Sequence, residues 1–210
     1  MTTRVLCIRH GETAWNATGR WQGHAPVPLN DAGLAQARQL GAYLAARALP
    51  IRAIYSSDLK RAMQTAQAIG GALRIEVQPD PRLREVDLGN WQGLTHQEAE
   101  AWDGKHYAAY RADWYDTPPP DGESRNQLKA RARAAFDDIT ARHAGQTVAL
   151  VSHGGTLGML IESLFGQIER PTLFNTSITV IERPDGSGPW ALARVAWTPH
   201  LDEAPLGETW

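Results

Sequence analysis

The sequence predicts an α/β fold: a mostly parallel central sheet of about six strands, with one antiparallel edge strand and helices on both faces. Three observations carry this. Short apolar runs of strand length alternate with longer amphipathic segments along most of the 210 residues, the pattern of a covered parallel sheet. Glycine, proline and cap-forming residues punctuate the joins. Near the C-terminus two apolar runs follow one another with no helix between them, joined through Asp185-Gly186 in a hairpin-type turn, which requires antiparallel pairing.

Taken in order, Val5-Leu6-Cys7-Ile8 is the first strand. Residues 11–30, rich in Gly, Pro, Asn and Trp, make a connection long enough to be functional, and Pro26 and Pro28 keep its end extended. Asn30 or Asp31 caps a helix running to about Leu49, with Leu34, Ala37, Leu40 and Leu44 on one face. Pro50 stops it, and Ile51 to Tyr55 reads as the second strand. The cap-type cluster Ser56-Ser57-Asp58 leads into a helix over about 59–69, which Gly70-Gly71 ends; Leu73 to Val77 reads as the third strand. From Gln78 to Glu123 the pattern is loop-like, with some helix between Thr95 and Trp114. Trp91, Trp102, Tyr107, Tyr110, Trp114 and Tyr115 gather there, either as an aromatic lid-like insertion over about 86–122 or as plain anchors of a long excursion. Pro118-Pro119-Pro120-Asp121-Gly122 is a stiff turn before a helix from Ser124 to His143, whose buried stripe is Leu128, Ala132, Ala135, Phe136 and Ile139. Thr147 to Val151 is the fourth strand and a helix over about 156–165 follows it. Ile178 to Glu182 and Ala191 to Trp197 close the sheet. Residues 1–198 are therefore expected to form one domain, and 199–210 a polar, poorly ordered tail.

Bulk properties narrow the function. Hydrophobic residues make up 42% and charged residues 21%, ordinary for a globular protein. A net charge of -2 provides no basic field, so neither nucleic acid nor an anionic membrane is expected as a partner. Cys7 is the only cysteine, which rules out an internal disulfide. No apolar run approaches the ~18 residues of a membrane span, and the start resembles no signal peptide. A cytoplasmic location is expected; monomer and homodimer are both left open.

The chemistry gathers at two strand ends. Val5 to Thr13 and Ala149 to Thr156 share a plan, an apolar strand ending in His-Gly with Thr close behind, which places His10 and His153 in equivalent positions. Open α/β sheets bind ligands beyond the carboxyl ends of their strands, where two such histidines would meet. Arg9 precedes His10. Arg61 lies in the first turn of a helix, where a cation opposes the macrodipole unless an anion binds at that end. Two guanidiniums suit a phosphoryl group, because their planar forks bind its oxygens bidentately. His153-Gly154-Gly155 opens a helix as well, aiming backbone N–H groups into the same space.

Arg9-His10-Gly11-Glu12-Thr13 with Asn16, Ser57-Asp58-Leu59-Lys60-Arg61-Ala62 with Thr65-Ala66, Leu83-Arg84-Glu85 with Gly89 and Gly93, and Ser152-His153-Gly154-Gly155 together resemble the histidine phosphatase superfamily. This is the group of cofactor-dependent phosphoglycerate mutases and their phosphatase relatives. The resemblance runs from about residue 4 to residue 182, with the motifs in the family's order. It implies a phosphoglycerate mutase-like fold and hydrolysis of a small phosphorylated metabolite without metal or cofactor. It also implies roles. His10 attacks phosphorus to give a phosphohistidine. Arg9, Arg61 and His153 hold the equatorial oxygens, and Asn16 adds a neutral donor. Glu85 protonates the leaving oxygen and later deprotonates water, a task that asks for a raised pKa, with Leu88 and nearby tryptophans as the apolar surroundings. Asp87 is the competing acid. Gln22 and Gly23 match the place where the first loop touches substrate, and Gly154 lies at the second histidine. Asn175 and Ser177, just before the fifth strand, either line the pocket's rim or cap the strand start.

Rival chemistries fit less well. A cysteine phosphatase needs Arg six residues after its Cys, where Thr13 stands. No HExxH or spaced Cys/His set suggests a metal site, and no Gly-rich loop precedes a Lys-Ser/Thr pair. Family mutases carry extra cations for the substrate carboxylate, including an adjacent arginine pair; Glu85 to Pro120 offers only Lys105 and Arg111. Leu83 to Gly93 and Gly122-Glu123-Ser124 resemble the phosphatase branch. The mutase, and a catalytically weak binding or regulatory member of the same fold, are the alternatives.

Overall fold

The computed structural model describes residues 1–167, 171–184 and 188–201. Its sheet contains β1 (Thr3–Arg9), β2 (Ile51–Ser56), β3 (Val77–Pro79), β4 (Thr147–Ser152), β5 (Ile178–Arg183) and β6 (Ala191–Trp197). The spatial order is β3-β2-β4-β1-β5-β6. The pairs β1–β4, β2–β4 and β2–β3 are parallel, whereas β5 pairs antiparallel with both β1 and β6. The mostly parallel fold class is as expected. The one strand that runs against the rest is β5, lying one place in from the edge.

Strand periodicity explains why both faces are covered. Val5, Cys7, Val148, Leu150 and Ile181 point to one side, where they meet α6 (Arg125–Arg142) and α7 (Gly154–Phe165). Leu6, Ile8, Ala149, Val151 and Val180 point to the other, against α2 (Asp31–Ala46) and α3 (Lys60–Leu73). Successive side chains alternate faces, so a strand buried on both sides must be apolar throughout, as Val5 to Ile8 is. Burying each such aliphatic side chain contributes about 1.5–3 kcal/mol.

A third apolar cluster stands outside the sheet. Val86, Leu88, Ala99, Tyr110, Leu128 and Met159 surround Trp91, which has no exposed surface. It is built on α4 (His96–Trp102) and α5 (Gly104–Ala112). The helix expected between Thr95 and Trp114 is thus two, broken at Asp103, which ends one and caps the next by accepting from the His106 amide at 3.0 Å. The aromatic residues pack mainly on one another, with Trp91 and Tyr110 edge-to-face at 5.1 Å.

Other boundaries moved for identifiable reasons. Gly70-Gly71 does not end α3, which continues to Leu73 and stops with Arg74 in the left-handed region (φ 58). Gly70 instead makes room for the returning chain: a Cβ there would sit 2.6 Å from the Ile75 carbonyl oxygen. The third strand is displaced accordingly, from Leu73–Val77 to Val77–Pro79. The loop over 11–30 contains a short helix, α1 (Ala14–Ala17), closed by a Thr13–Asn16 capping box. The turn at Asp185-Gly186 and tail residues 202–210 lie outside the described residues. Among the described residues, no helix is long and apolar enough to cross a membrane.

Candidate active site

Parallel pairing of β1 with β4, in the register Arg9↔Ser152, delivers His10 and His153 side by side. The His10 amide donates to the Ser152 carbonyl at 2.9 Å, and the two rings stand 5.1 Å apart. The chain crosses over β1 after β4 to reach β5, so this is the crevice where strand order reverses.

His10 is buried, and its Nδ1 lies 2.7 Å from the Gly11 carbonyl oxygen. A carbonyl only accepts, so Nδ1 carries the proton and Nε2 keeps its lone pair. The Arg61 Nε donates to that Nε2 at 3.3 Å. Burial, then the charges of Arg61 and Arg9, hold the His10 pKa well below its ordinary value, which keeps the imidazole neutral and nucleophilic. Arg61 itself is 1% exposed. Its other two nitrogens donate to the carbonyls of Ala25 (3.1 Å) and Gly23 (2.9 Å), and burial lowers its pKa to about 10, so it stays cationic at neutral pH. The apparent mismatch of a cation at the start of α3 is thereby explained: Arg61 points into the site and is clamped by the first loop. Gly23, at φ +49, makes the turn that presents its carbonyl.

Arg9 donates to the Leu173 carbonyl at 2.6 Å, and its buried Nε has no partner among the described residues. His153 is fully buried. Its Nε2 lies 2.8 Å from Ser57 Oγ, which already accepts from the Leu59 amide. Nε2 is thus engaged by Ser57, while the buried Nδ1 has no partner among the described residues. Asn16 Oδ1 is engaged by the Thr13 amide and hydroxyl at 3.2 and 3.1 Å, which leaves its NH2 group as a donor. Asn175 donates to the His10 carbonyl at 2.9 Å, and Ser177 is buried at the foot of β5; they support the site from behind.

These groups open onto a pocket of about 260 Å³ lined by Arg9, His10, Asn16, Gln22, Gly23, Arg61, Glu85 and Gly154, with Arg20, Trp21, Val86, Leu88, Arg125 and Gly155 completing its wall. Of the catalytic and phosphate-binding residues expected from sequence, His153 lies off this wall, and so do Asn175 and Ser177, expected at its rim. Asp87 is not on it either, being occupied with the Gly89 amide and with His24 at 3.5 Å.

Glu85 departs from expectation in one respect. Burial pushes its pKa up, but the Arg125 charge, the Val86 and Gly155 amides and Arg61 together outweigh burial and bring it below the ordinary value. Its oxygens accept from the Val86 amide (2.9 Å), the Gly155 amide at the start of α7 (3.0 Å) and the Thr156 hydroxyl (3.2 Å). Donors rather than apolar walls surround its oxygens, which favours the carboxylate over the acid.

Two arginines were missed by sequence reasoning. Arg125, the first residue of α6, lines the pocket. Arg131, two turns further along, donates to the carbonyls of Arg82 (2.9 Å), Arg84 (2.6 Å) and Glu85 (2.7 Å) and pairs with Glu123. It clamps the loop that carries Glu85. Both lie on a helix whose apolar stripe dominated its reading. Cys7, by contrast, is buried in β1 with its thiol pKa pushed up to about 12, a core residue with no thiolate to offer.

The sequence profile of the histidine phosphatase superfamily (branch 1) matches residues 5–198. The chain belongs to this family. It is 38% identical over 202 residues to phosphoglycerate mutase-like protein 4 of Arabidopsis thaliana, covering 95% of this chain and 87% of that one. It is 37% identical over 185 residues to a metal-independent phosphoserine phosphatase of the same plant, covering 87% and 77%. Among solved structures, Bacillus stearothermophilus YhfR superposes with a TM-score of 0.85 at 34% identity, covering 95% of this chain and all of that one.

Proposed function

We infer that this histidine phosphatase is a phosphomonoester hydrolase that acts on a small phosphorylated metabolite through a phosphohistidine. The observation that carries the reading is the neutral, Nδ1-protonated His10, whose Nε2 lone pair faces a pocket with the Arg9 and Arg61 guanidiniums beside it. His10 Nε2 attacks phosphorus and the ester P–O bond breaks in line. Arg9, Arg61, Asn16 and, through Nδ1, His153 supply donors to the equatorial oxygens. Glu85 gives its proton to the departing oxygen, then as carboxylate takes one from the water that breaks the P–N bond, which returns His10 and releases phosphate. A phosphoryl dianion next to Glu85 offsets the field of Arg125 and Arg61, so the carboxylate acquires its proton as substrate binds. Gln22 and Gly23 border the substrate through the first loop. Residues 1–198 act as one domain, and the enzyme works in the cytoplasm, where its single thiol needs no partner.

The test is phosphate release from phenyl phosphate. His10→Ala is expected to abolish it, on the order of 10³-fold or more, and near-full activity in that variant would sink the mechanism. A mutase reading draws support from the phosphoglycerate mutase-like relative. A coupled assay for 3- to 2-phosphoglycerate conversion separates the two; conversion faster than phosphate release would favour the mutase.

A further inference from the structure

The first loop touches both halves of the site. On the phosphate side its Gly23 and Ala25 carbonyls accept from the Arg61 guanidinium at 2.9 and 3.1 Å. The residue between them, His24, reaches the other half, with its Nε2 2.8 Å from the carbonyl oxygen of Glu85. A carbonyl only accepts, so Nε2 carries the proton and donates it. Across the ring, Nδ1 lies 3.5 Å from Asp87 Oδ2. Asp87 is itself pinned. Its Oδ1 accepts from the Gly89 amide at 2.9 Å, its own amide donates to Glu123 Oε1 at 2.9 Å, and its carbonyl accepts from the Glu123 amide at 3.0 Å. The imidazole is therefore bracketed between two fixed groups.

We propose that His24 is a positioning residue, which registers the Glu85 carboxyl against the phosphate site by tying its backbone to the loop that clamps Arg61. This rests on the hydrolase reading, with Glu85 as the acid, and adds what sets the spacing of acid and phosphate. The Glu85 carbonyl oxygen offers two lone pairs. Arg131 serves it from α6 at 2.7 Å, and His24 serves it from the first loop. The first bond fixes the acid to the helix layer. The second links it through one residue to the carbonyls that grip Arg61, so acid and phosphate ligand share a short, continuous path. A proton donor must stand within about 2.6–3.2 Å of the oxygen it serves, and a misplacement of about 1 Å can cost about 10²-fold in rate. Asp87, expected from sequence as a competing acid, has a different task here. Its immobilised carboxylate backs the ring that positions the acid.

The test measures kcat and KM on sn-glycerol 3-phosphate, whose alkoxide is a poor leaving group, and on phenyl phosphate, whose phenolate is a good one. His24 is partly exposed and stands outside the apolar core, so His24→Leu removes the donor without opening a cavity. We expect kcat on the alkyl ester to fall about 10-fold or more, and kcat on the aryl ester to fall less than about threefold. KM on both should stay within about threefold, because main-chain carbonyls that the substitution keeps hold Arg61. His24→Gln, which retains an N–H donor, should recover part of the loss. In a Glu85→Gln background, His24→Leu should slow the alkyl ester hardly further, since residues that act as one unit are not additive. Equal losses on the two esters, or full additivity of the two substitutions, would reduce His24 to a structural contact and overturn the proposal. Glu85→Gln alone keeps the two readings apart. If it slows both esters alike, Glu85 is not the acid and the role of His24 falls with it; if it is selective and His24→Leu is not, the role of His24 alone falls.

Discussion

At the scale of single residues, chemistry depends on which atoms are already spoken for. His10 keeps its lone pair on Nε2, beside Arg61 Nε, because the Gly11 carbonyl claims Nδ1, and His153 keeps an Nδ1 without a partner among the described residues because Ser57 claims Nε2. In the proposed cycle Glu85 is the group whose state must change, from carboxylate to acid beneath a bound phosphoryl group. Its importance should scale with how much help the leaving group needs. Glu85→Gln is expected to slow alkyl phosphates about 10²–10⁴-fold, and aryl phosphates, with their more acidic alcohols, far less. Equal losses in kcat/KM on glycerol 3-phosphate and phenyl phosphate would remove Glu85 from that role. Most of these residues were legible because each is adjacent in sequence to a strand end or a helix start. Arg125 was not. It follows the Gly122-Glu123-Ser124 turn and reads as an exposed helix cation, and only the fold sets it beside Tyr110 and Trp114 on the pocket wall.

At the scale of elements, the site is a convergence of strand ends and helix starts held by backbone acceptors. The α7 N-terminus binds the Glu85 carboxylate through the Gly155 amide, the arrangement expected of an anion at a helix start. The loop from Arg82 to Glu85 has little regular structure of its own, and Arg131 on α6 supplies what a strand partner would. Arg131→Met removes one donor from each of the carbonyls of Arg82, Arg84 and Glu85, of which Arg84 keeps the Thr156 hydroxyl and Glu85 keeps His24, and leaves Glu123, whose side chain is 17% exposed, without that counter-charge. The expected loss of stability is about 2–4 kcal/mol, read as a lower urea midpoint. A roughly tenfold or larger fall in kcat should accompany it as Glu85 drifts. KM should change little, because the proposed phosphate ligands Arg9 and Arg61 stand on other elements. An unchanged kcat in a destabilised protein would make Arg131 a structural clamp only.

At the scale of the whole molecule, the price of the site is paid in acid. Burial and then Arg61 push the His10 and His153 pKa values well below the ordinary one. The unfolded chain takes up protons on these rings as pH falls through about 6.5, whereas the folded chain does not. The stability they contribute is therefore complete above that pH and is lost below it, by up to about 1.4 kcal/mol per pH unit for each ring. Glu85, whose folded pKa is depressed, adds a further loss in the same direction below about pH 4.3. Urea midpoints measured from pH 7.5 to 5 should fall steadily, and His153→Asn should flatten that slope. A midpoint independent of pH over this range would contradict the burial of two neutral imidazoles.

By itself the sequence determined the layered fold, the two histidine-bearing strand ends and a phosphate-type charge at Arg9 and Arg61, because periodicity and strand-end chemistry are local properties of the chain. It did not determine that Gly70 packs where it was expected to terminate a helix, that the donors around Glu85 favour its carboxylate, or that Arg125 and Arg131 belong to the site. Those were decided by tertiary structure, for one physical reason. A side chain's charge state and direction depend on the donors, acceptors and backbone that arrive from elsewhere in the fold, as Arg131 and Gly155 reach Glu85 from 46 and 70 residues away in the chain.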